Sequence, residues 1–398
     1  MDININNDCD YYIKEEIRND SYKKYNIFYI NKDIQLNDKI IKEMKKYNII
    51  EFGDKFNQPL CDNLPSGIKE LIFGHKFNKP LCDNLPSRIK KITFGACFNH
   101  PLCDNLPISL EEITFGRFFN QSLDNLPSGI KKLHFDLYNK PIDNLPSKIK
   151  ILTFEREFNQ PIENLPAEIE EIYFGRDFNQ SLCNNLPSKI KNLRFGYYFD
   201  QPIDNLPLGL KKLVFEGKFN QSVNNLPLEI QELIFGPSFN QPVDNLPPNI
   251  KKLIFDWNFN QPVDNLPPEI QELTFGTCFN QPVDNLPSKI KVIKFRDEFN
   301  QSVDNLPDGL ISIKFGHNFN QPVNNLPTRL ENLTLGNNFN QPVNNLPSGL
   351  KNLTLGYMFN HELNNLPLGL ESLIINPKYD KPLNIISELV KISRIHIY

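Results

Sequence analysis

Apolar and polar positions repeat along this chain with a fixed phase. In the stretch beginning at Phe239 the chain reads Phe-Asn-Gln-Pro-Val-Asp-Asn-Leu-Pro-Pro-Asn-Ile-Lys-Lys-Leu-Ile-Phe-Asp-Trp-Asn before the next Phe at 259. Ile250, Leu253 and Phe255 fall at positions one, four and six of an apolar set, with Phe259 four residues on. Alternate side chains of a strand share a face, so this spacing predicts a short strand entered through a turn, with its intervening residues in solvent. The triplet Asn-Leu-Pro recurs sixteen times between Asn63 and Asn365, at intervals of 19 to 21 residues. One such unit cannot bury its apolar face alone, and the units must stack.

The predicted fold class is a repeat solenoid like that of leucine-rich repeats, with about 18 short parallel strands in one curved sheet. Strand centres are expected at Ile50, Leu71, Ile92, Ile113, Leu133, Leu152, Ile172, Leu193 and onward to Leu373. Each return path carries Pro or Ser after Phe-Asn-Gln and a second Pro after Asn-Leu, which excludes regular helix, so the convex side should be turn and extended chain with almost no helix. Residues 1–47 read as an N-terminal cap or degenerate first coil. In it Tyr25 to Ile30 is a strand, and Asn37 caps a short helix from Asp38 to about Tyr47 with Ile40, Ile41 and Met44 on one face. Phe28 and Ile30 stand 22 residues before Ile50 and Phe52, in phase with the repeats. Residues 48–380 form the solenoid of 16–17 repeats, and residues 381–398 supply a capping strand from Ile392, Ile395 and Ile397.

The pair Phe-Asn occurs 14 times, from Phe56-Asn57 to Phe359-Asn360, with Tyr138-Asn139, Phe199-Asp200 and Tyr379-Asp380 as variants. With Asn-Leu-Pro in register behind it, this unit resembles the FNIP repeat, a relative of the leucine-rich repeat found in many copies in proteins of social amoebae and of giant DNA viruses of amoebae. The layout looks like that of the viral members. The resemblance implies a solenoid and a binding role, not a reaction. Members of this type often carry an F-box near the N terminus that recruits a ubiquitin ligase; residues 1–47 lack the Leu-Pro-x-Glu-like opening and the Leu-rich helices of that motif.

The columns generated by stacking divide into structure and surface. The Phe column and both Asn columns (Phe239, Asn240, Asn245, Leu246 and Pro247 in the typical coil) are expected to be structural, the Asn side chains satisfying backbone groups of buried turns and bonding to the next Asn. The residue before each strand centre largely alternates in sign, running Glu70, Lys91, Glu112, Lys132, Ile151, Glu171, Asn192, Lys212, Glu232, Lys252 and Glu272, a pattern that opposes slippage by one coil. It lapses into Val292, Ser312, Asn332, Asn352 and Ser372 beside Ile311, leaving a less charged strand face toward the C terminus. One position earlier a mostly basic column runs through Lys69, Lys90, Lys131, Lys150, Lys191, Lys211, Lys251, Lys291 and Lys351, diluted by Glu111, Glu170, Glu331 and Glu371. Residues 135–157, where a loop is one residue short and Glu155-Arg156-Glu157 replaces the usual Gly, should bend or bulge.

Net charge is only −4, which gives no broad attraction to nucleic acid or anionic lipid, and the basic column has no aromatic platform beside it. No apolar leader or 18-residue apolar run occurs, so a cytoplasmic rather than secreted protein is expected, with no membrane partner. Cys61, Cys82, Cys103 and Cys183 occupy an extra residue in the longer coils and read as a column of small buried thiols. No catalytic constellation, cofactor motif or metal-ligand spacing is present, so no enzyme activity, cofactor or metal is expected. The function expected is a non-enzymatic, monomeric scaffold that binds a host or viral protein. A diverged ubiquitin-ligase adaptor and a structural or self-assembling protein are the alternatives. The expected contact residues lie in the variable loops after the strands: Phe118, Arg176, Tyr197, Tyr198, Trp257 and Tyr357, because exposed Trp, Tyr and Arg anchor protein interfaces.

Overall fold

Each repeat folds as one coil, a strand of three or four residues followed by a turn, an extended return and a second turn. In the coil around Phe239, the Pro247 carbonyl accepts a hydrogen bond from the Ile250 N–H at 3.5 Å, the reach of a β-turn. Lys252–Ile254 then forms the strand, and Ile250, Leu253, Phe255 and Phe259 are all 0% exposed. The Phe259 N–H closes the second turn on the Asp256 carbonyl at 3.4 Å. After the strand most coils place a Gly, because the preceding coil's backbone passes too close for a side chain. A Cβ on Gly95 would lie 1.9 Å from the Gly74 carbonyl oxygen, and one on Gly116 2.0 Å from that of Gly95.

The computed structural model describes residues 10–18, 23–81, 83–182, 186–383 and 390–394, and the chain divides into two units, Met1–Gly196 and Tyr197–Tyr398. In the first, β1 (Tyr11–Arg18) pairs antiparallel with β2 (Lys23–Ile30). A short helix α1 (Asp38–Met44) follows, with Asn37 Oδ1 accepting from the Ile40 N–H at 3.1 Å and Ile40, Ile41 and Met44 buried. Strand β2 then pairs parallel with β3 (Ile49–Phe52), Phe28 opposite Ile50 and Ile30 opposite Phe52, the phase read from the sequence. From β3 onward every strand of this unit is parallel to the one before, with Ile50, Leu71, Ile92, Ile113, Leu133, Leu152, Ile172 and Leu193 in line. The second unit repeats the arrangement from Leu213 to Leu373 and ends on Lys391–Arg394, with Ile392 opposite Leu373. Ile395 and Ile397 lie outside the described residues. α1 is the one helix among the described residues, and the architecture is the parallel-strand solenoid expected.

Strand β1 was not expected. Its sequence, Tyr-Tyr-Ile-Lys-Glu-Glu-Ile-Arg, is too charged to read as strand, yet its rings settle on β2: Tyr11 stacks on Phe28 at 4.7 Å and Tyr12 lies 4.6 Å from Tyr29. Lys14 meets Glu51 of the next strand at 3.0 Å.

Two ladders hold the returns together. Phe219, Phe239, Phe259 and Phe279 stack with ring centroids 6.0–6.1 Å apart, and within a coil Phe255 lies 3.7 Å from Phe259. Offset stacks of this kind add about 0.5–1.5 kcal/mol per pair beyond area burial. Beside the rings, the Asn260 N–H donates to Asn240 Oδ1 at 2.9 Å, and Gln261 Nε2 donates to the same oxygen at 3.2 Å. The same pair of bonds recurs from Asn280 and Gln281 to Asn260 Oδ1, at 3.0 and 3.1 Å. Only the acceptor is used, which explains Asp200 at this position: its Oδ1 accepts from the Asn220 N–H at 2.9 Å and Gln221 Nε2 at 3.0 Å. Asp33, 24 residues before Asn57, starts the ladder in the same way by accepting from the Asn57 N–H at 2.8 Å.

The second Asn column bonds chiefly from side chain to side chain. Asn265 Nδ2 donates to Asp244 Oδ1 at 3.1 Å on the exposed surface, and Asn245 donates to Asn224 Oδ1 at 3.3 Å. These side chains cross-link neighbouring coils, and Asn125 also satisfies a backbone group, its Nδ2 donating to the Leu102 carbonyl at 3.2 Å. The thiols are shallower than expected, Cys61 and Cys103 being half-buried because the extra residue lies beside an exposed turn. Burial still raises both thiols above the ordinary cysteine value. Cys82 and Cys183 lie outside the described residues.

At residues 135–157 the expected bend takes the form of a lengthened strand pair. Asp136 and Glu155 occupy the Gly position in two successive coils, and the coils pair one residue further, with Phe135 opposite Phe154 and the Glu155 N–H on the Phe135 carbonyl at 2.9 Å. Tyr138, in place of Phe, is 1% exposed and stacks on Phe119 at 6.2 Å; burial pushes its phenol well above the usual tyrosine range.

Phe239→Ala removes a ring from two stacks and should cost about 3–5 kcal/mol in urea unfolding. Asn260→Ala should cost about 1–2 kcal/mol by stranding the Asn280 N–H, while Asn260→Asp, which keeps the acceptor, should lose less than half as much.

Candidate functional site

The solvent face of the strands carries the charge columns, and the strand register sets who meets whom. Glu70 stands opposite Lys91 and Lys91 opposite Glu112, with Lys91 and Glu112 in contact at 2.6 Å. In the second unit Lys212 meets Glu232 at 3.1 Å and Lys252 meets Glu272 at 3.6 Å. The basic column one position earlier is not a bare stripe. Glu111 accepts from Lys90 at 3.2 Å and Lys131 at 2.9 Å, and Glu170 from Lys150 at 2.8 Å and Lys191 at 3.2 Å; Lys351 pairs with Glu331 at 3.0 Å. The hydrogen bonds from the lysines hold the Glu111 and Glu170 carboxyls below the usual carboxylate value.

The post-strand loops form an edge whose backbone is tied coil to coil. The Tyr197 carbonyl accepts from the Lys218 N–H at 2.7 Å, that of Gly217 from Ser238 at 3.3 Å, that of Pro237 from Asn258 at 3.0 Å, and that of Trp257 from Cys278 at 2.8 Å. Tyr197 and Trp257 are therefore three loops apart, with Gly217 and Pro237 between them. Trp257 is 55% exposed and Tyr197 44%. Tyr198 is half-buried: its ring lies edge-on to Tyr197 at 5.0 Å, and Lys218 Nζ sits 4.7 Å from its centroid. Tyr357 lies further along this edge, where Lys378 Nζ donates to its hydroxyl at 2.6 Å. In the first unit Phe118 is 50% exposed beside Arg117, 5.6 Å from its ring, and Arg176 is exposed next to Asp177 at 4.0 Å. The structure thus aligns Tyr197, Tyr198, Trp257 and Tyr357 on one edge of the second unit, and Phe118 and Arg176 on loops of the first.

A second exposed feature escaped the sequence reading. The residue after Asn-Leu-Pro is usually small or polar, but Leu208 is 82% exposed and Leu228 66%, in adjacent coils, with Ile108 and Leu368 at the same position elsewhere. The signal was present as Leu or Ile where Ser is the rule. Among the described residues no group of three or more His, Cys, Asp and Glu is placed to hold a metal, and no helix is long and apolar enough to cross a membrane.

The FNIP Repeat family model matches residues 48–76, 77–118, 119–157, 138–177, 158–198, 178–218, 239–278, 279–316, 319–358 and 339–376. The chain belongs to the FNIP repeat family. A solved structure described as CroV588, a novel circular LRR protein, superposes with a TM-score of 0.77 at 39% identity over 82% of this chain. The FNIP chain spans 52% of that protein's length. YopM from Yersinia enterocolitica WA-314 aligns over 83% of this chain and 76% of its own, at 18% identity and a TM-score of 0.43. No curated protein sequence matches the chain.

In this FNIP chain the ladder residues recur coil after coil, and the loop-edge aromatics do not. The shared lysine pairs give a pH prediction. A carboxyl lowered in the folded state stabilises above its unfolded value and loses that contribution as pH falls through the folded one. Replacing Glu111 and Glu170 with Gln should therefore flatten the fall in melting temperature between about pH 5 and pH 3 and lower it slightly at pH 7, as read by calorimetry across that range.

Proposed function

We propose that this FNIP repeat chain is a non-enzymatic scaffold that binds a protein partner through the loop edge of its second unit. The observation that carries this reading is the pair Tyr197 and Trp257: two large aromatic side chains, 44% and 55% exposed, on loops whose backbones are fixed by coil-to-coil hydrogen bonds. Aromatic anchors on a surface that need not order on binding give affinity at low entropic cost.

The reading places the chain in a cytoplasm as a monomer; Cys97 and Cys278, which are free thiols, suit a reducing compartment. In the N-terminal cap Ile27, Phe28, Ile30, Ile40, Ile41 and Met44 of β2 and α1 are buried in the fold, which argues against a ligase adaptor.

Affinity capture from amoebal lysate with the full chain, followed by mass spectrometry, tests the reading against a Tyr197→Ala, Trp257→Ala double variant. Both side chains are exposed, so the variant should melt within about 2 °C of the parent yet lose its specific partner. Recovery of the same protein by both forms would remove the aromatic edge as the docking site. Removing residues 1–47 is not a clean alternative, because it would bare Ile50 and Phe52, which β2 covers.

A further inference from the structure

A cavity of about 480 Å³ opens in the first unit where α1 interrupts the run of coils. It lies against the entering ends of β2, β3 and the next two strands, and its walls include Tyr25 and Tyr47, with Lys46, Lys69, Lys90 and Lys91 around them. Glu70 is the sole carboxylate in its lining and is only 8% exposed. Glu43, Glu111 and Glu112, which pair with Lys46, Lys90 and Lys91, do not line it.

The basic column explains why Lys69 has no glutamate of its own column. Along the first unit one glutamate serves two lysines: Glu111 takes Lys90 and Lys131, and Glu170 takes Lys150 and Lys191. Lys69 precedes the first such glutamate. Its N–H bonds the Asn48 carbonyl at 2.7 Å, and its carbonyl accepts from the Lys90 N–H at 2.8 Å. It therefore has an amide residue on one side and, on the other, Lys90, which Glu111 already holds. No ion pair of Lys69 occurs among the described residues. The Tyr47 ring beside it is held in place, 5.4 Å from that of Phe28.

We propose that this cavity binds a small phosphate ester of mononucleotide size, its phosphate between Lys69 and Lys90 and its ring against Tyr25 and Tyr47. The volume falls within the roughly 300–1,000 Å³ of small-molecule sites and exceeds what an inorganic ion needs, and lysine ammonium groups hold phosphate as point charges. This site is separate from the aromatic edge and does not depend on it.

Isothermal titration of the full chain with adenosine monophosphate, adenosine, inorganic phosphate and a hexaglutamate peptide tests the proposal. Adenosine monophosphate should bind more tightly than phosphate, with adenosine silent. Lys69→Gln should weaken it about tenfold, the loss of one charge-assisted hydrogen bond. Lys90→Gln should weaken it similarly, and Lys251→Gln, in the same column of the second unit, should leave it unchanged. All three lysines are exposed, so the variants should fold. The proposal falls if adenosine monophosphate gives no heat, if Lys251→Gln loses as much as Lys69→Gln, if Lys69→Gln binds like the parent, or if hexaglutamate binds more tightly, which would make the site a contact for acidic proteins.

Discussion

Stacking by translation is the constraint on which everything else in this fold depends. Within a unit, each residue's nearest neighbour across the coil interface is its own counterpart about 20 residues away, so every column must be compatible with itself at the spacing of a parallel sheet, about 4.8 Å. Phenylalanine satisfies this by offset stacking, as in the run from Phe219 to Phe279. Asparagine satisfies it because one residue carries both a backbone donor and a side-chain acceptor, so Asn240 can accept from Asn260 while donating to Asn220. Glycine satisfies it by having no side chain to collide.

Charged residues cannot satisfy it alone. A column of lysines would repel at every step, and the strand face meets this in two ways: strict alternation at Lys212, Glu232, Lys252 and Glu272, and one glutamate shared by two lysines at Glu111 and Glu170. These exposed pairs are each worth little. Their contribution is to penalise a chain displaced by one coil, where near-identical repeats would otherwise offer an alternative register. The post-strand loops escape the constraint, since their backbones stack while their side chains point outward, and the chain concentrates its individuality there.

This division explains what the sequence made legible. Columns that repeat could be read directly, down to Phe28 opposite Ile50 and the buried face of α1, because periodicity reports packing. Features that occur once could not. Strand β1 hides behind Lys14, Glu15 and Glu16, and only tertiary contacts with Phe28 and Tyr29 make it a strand. The Asp33 start of the asparagine ladder shares no motif with the residues it replaces. The paired Gly replacements at Asp136 and Glu155 pointed to an irregularity, but its form, an extra residue of strand pairing, depends on the distance between two backbones. Candidate contact residues were found by type and position, yet Tyr198 proved half-buried and Leu208 and Leu228 went unnoticed, since exposure depends on the neighbours in three dimensions.

The asparagine ladder has a direction: each coil offers an acceptor that the following coil consumes. A coil duplicated or deleted between two others therefore leaves no donor stranded and no ring without a stack, and the ends need no adjustment. Unequal crossing-over within such a gene would generate proteins of different length that fold at once, so copy number can drift freely while the amino acids inside each copy stay tightly held.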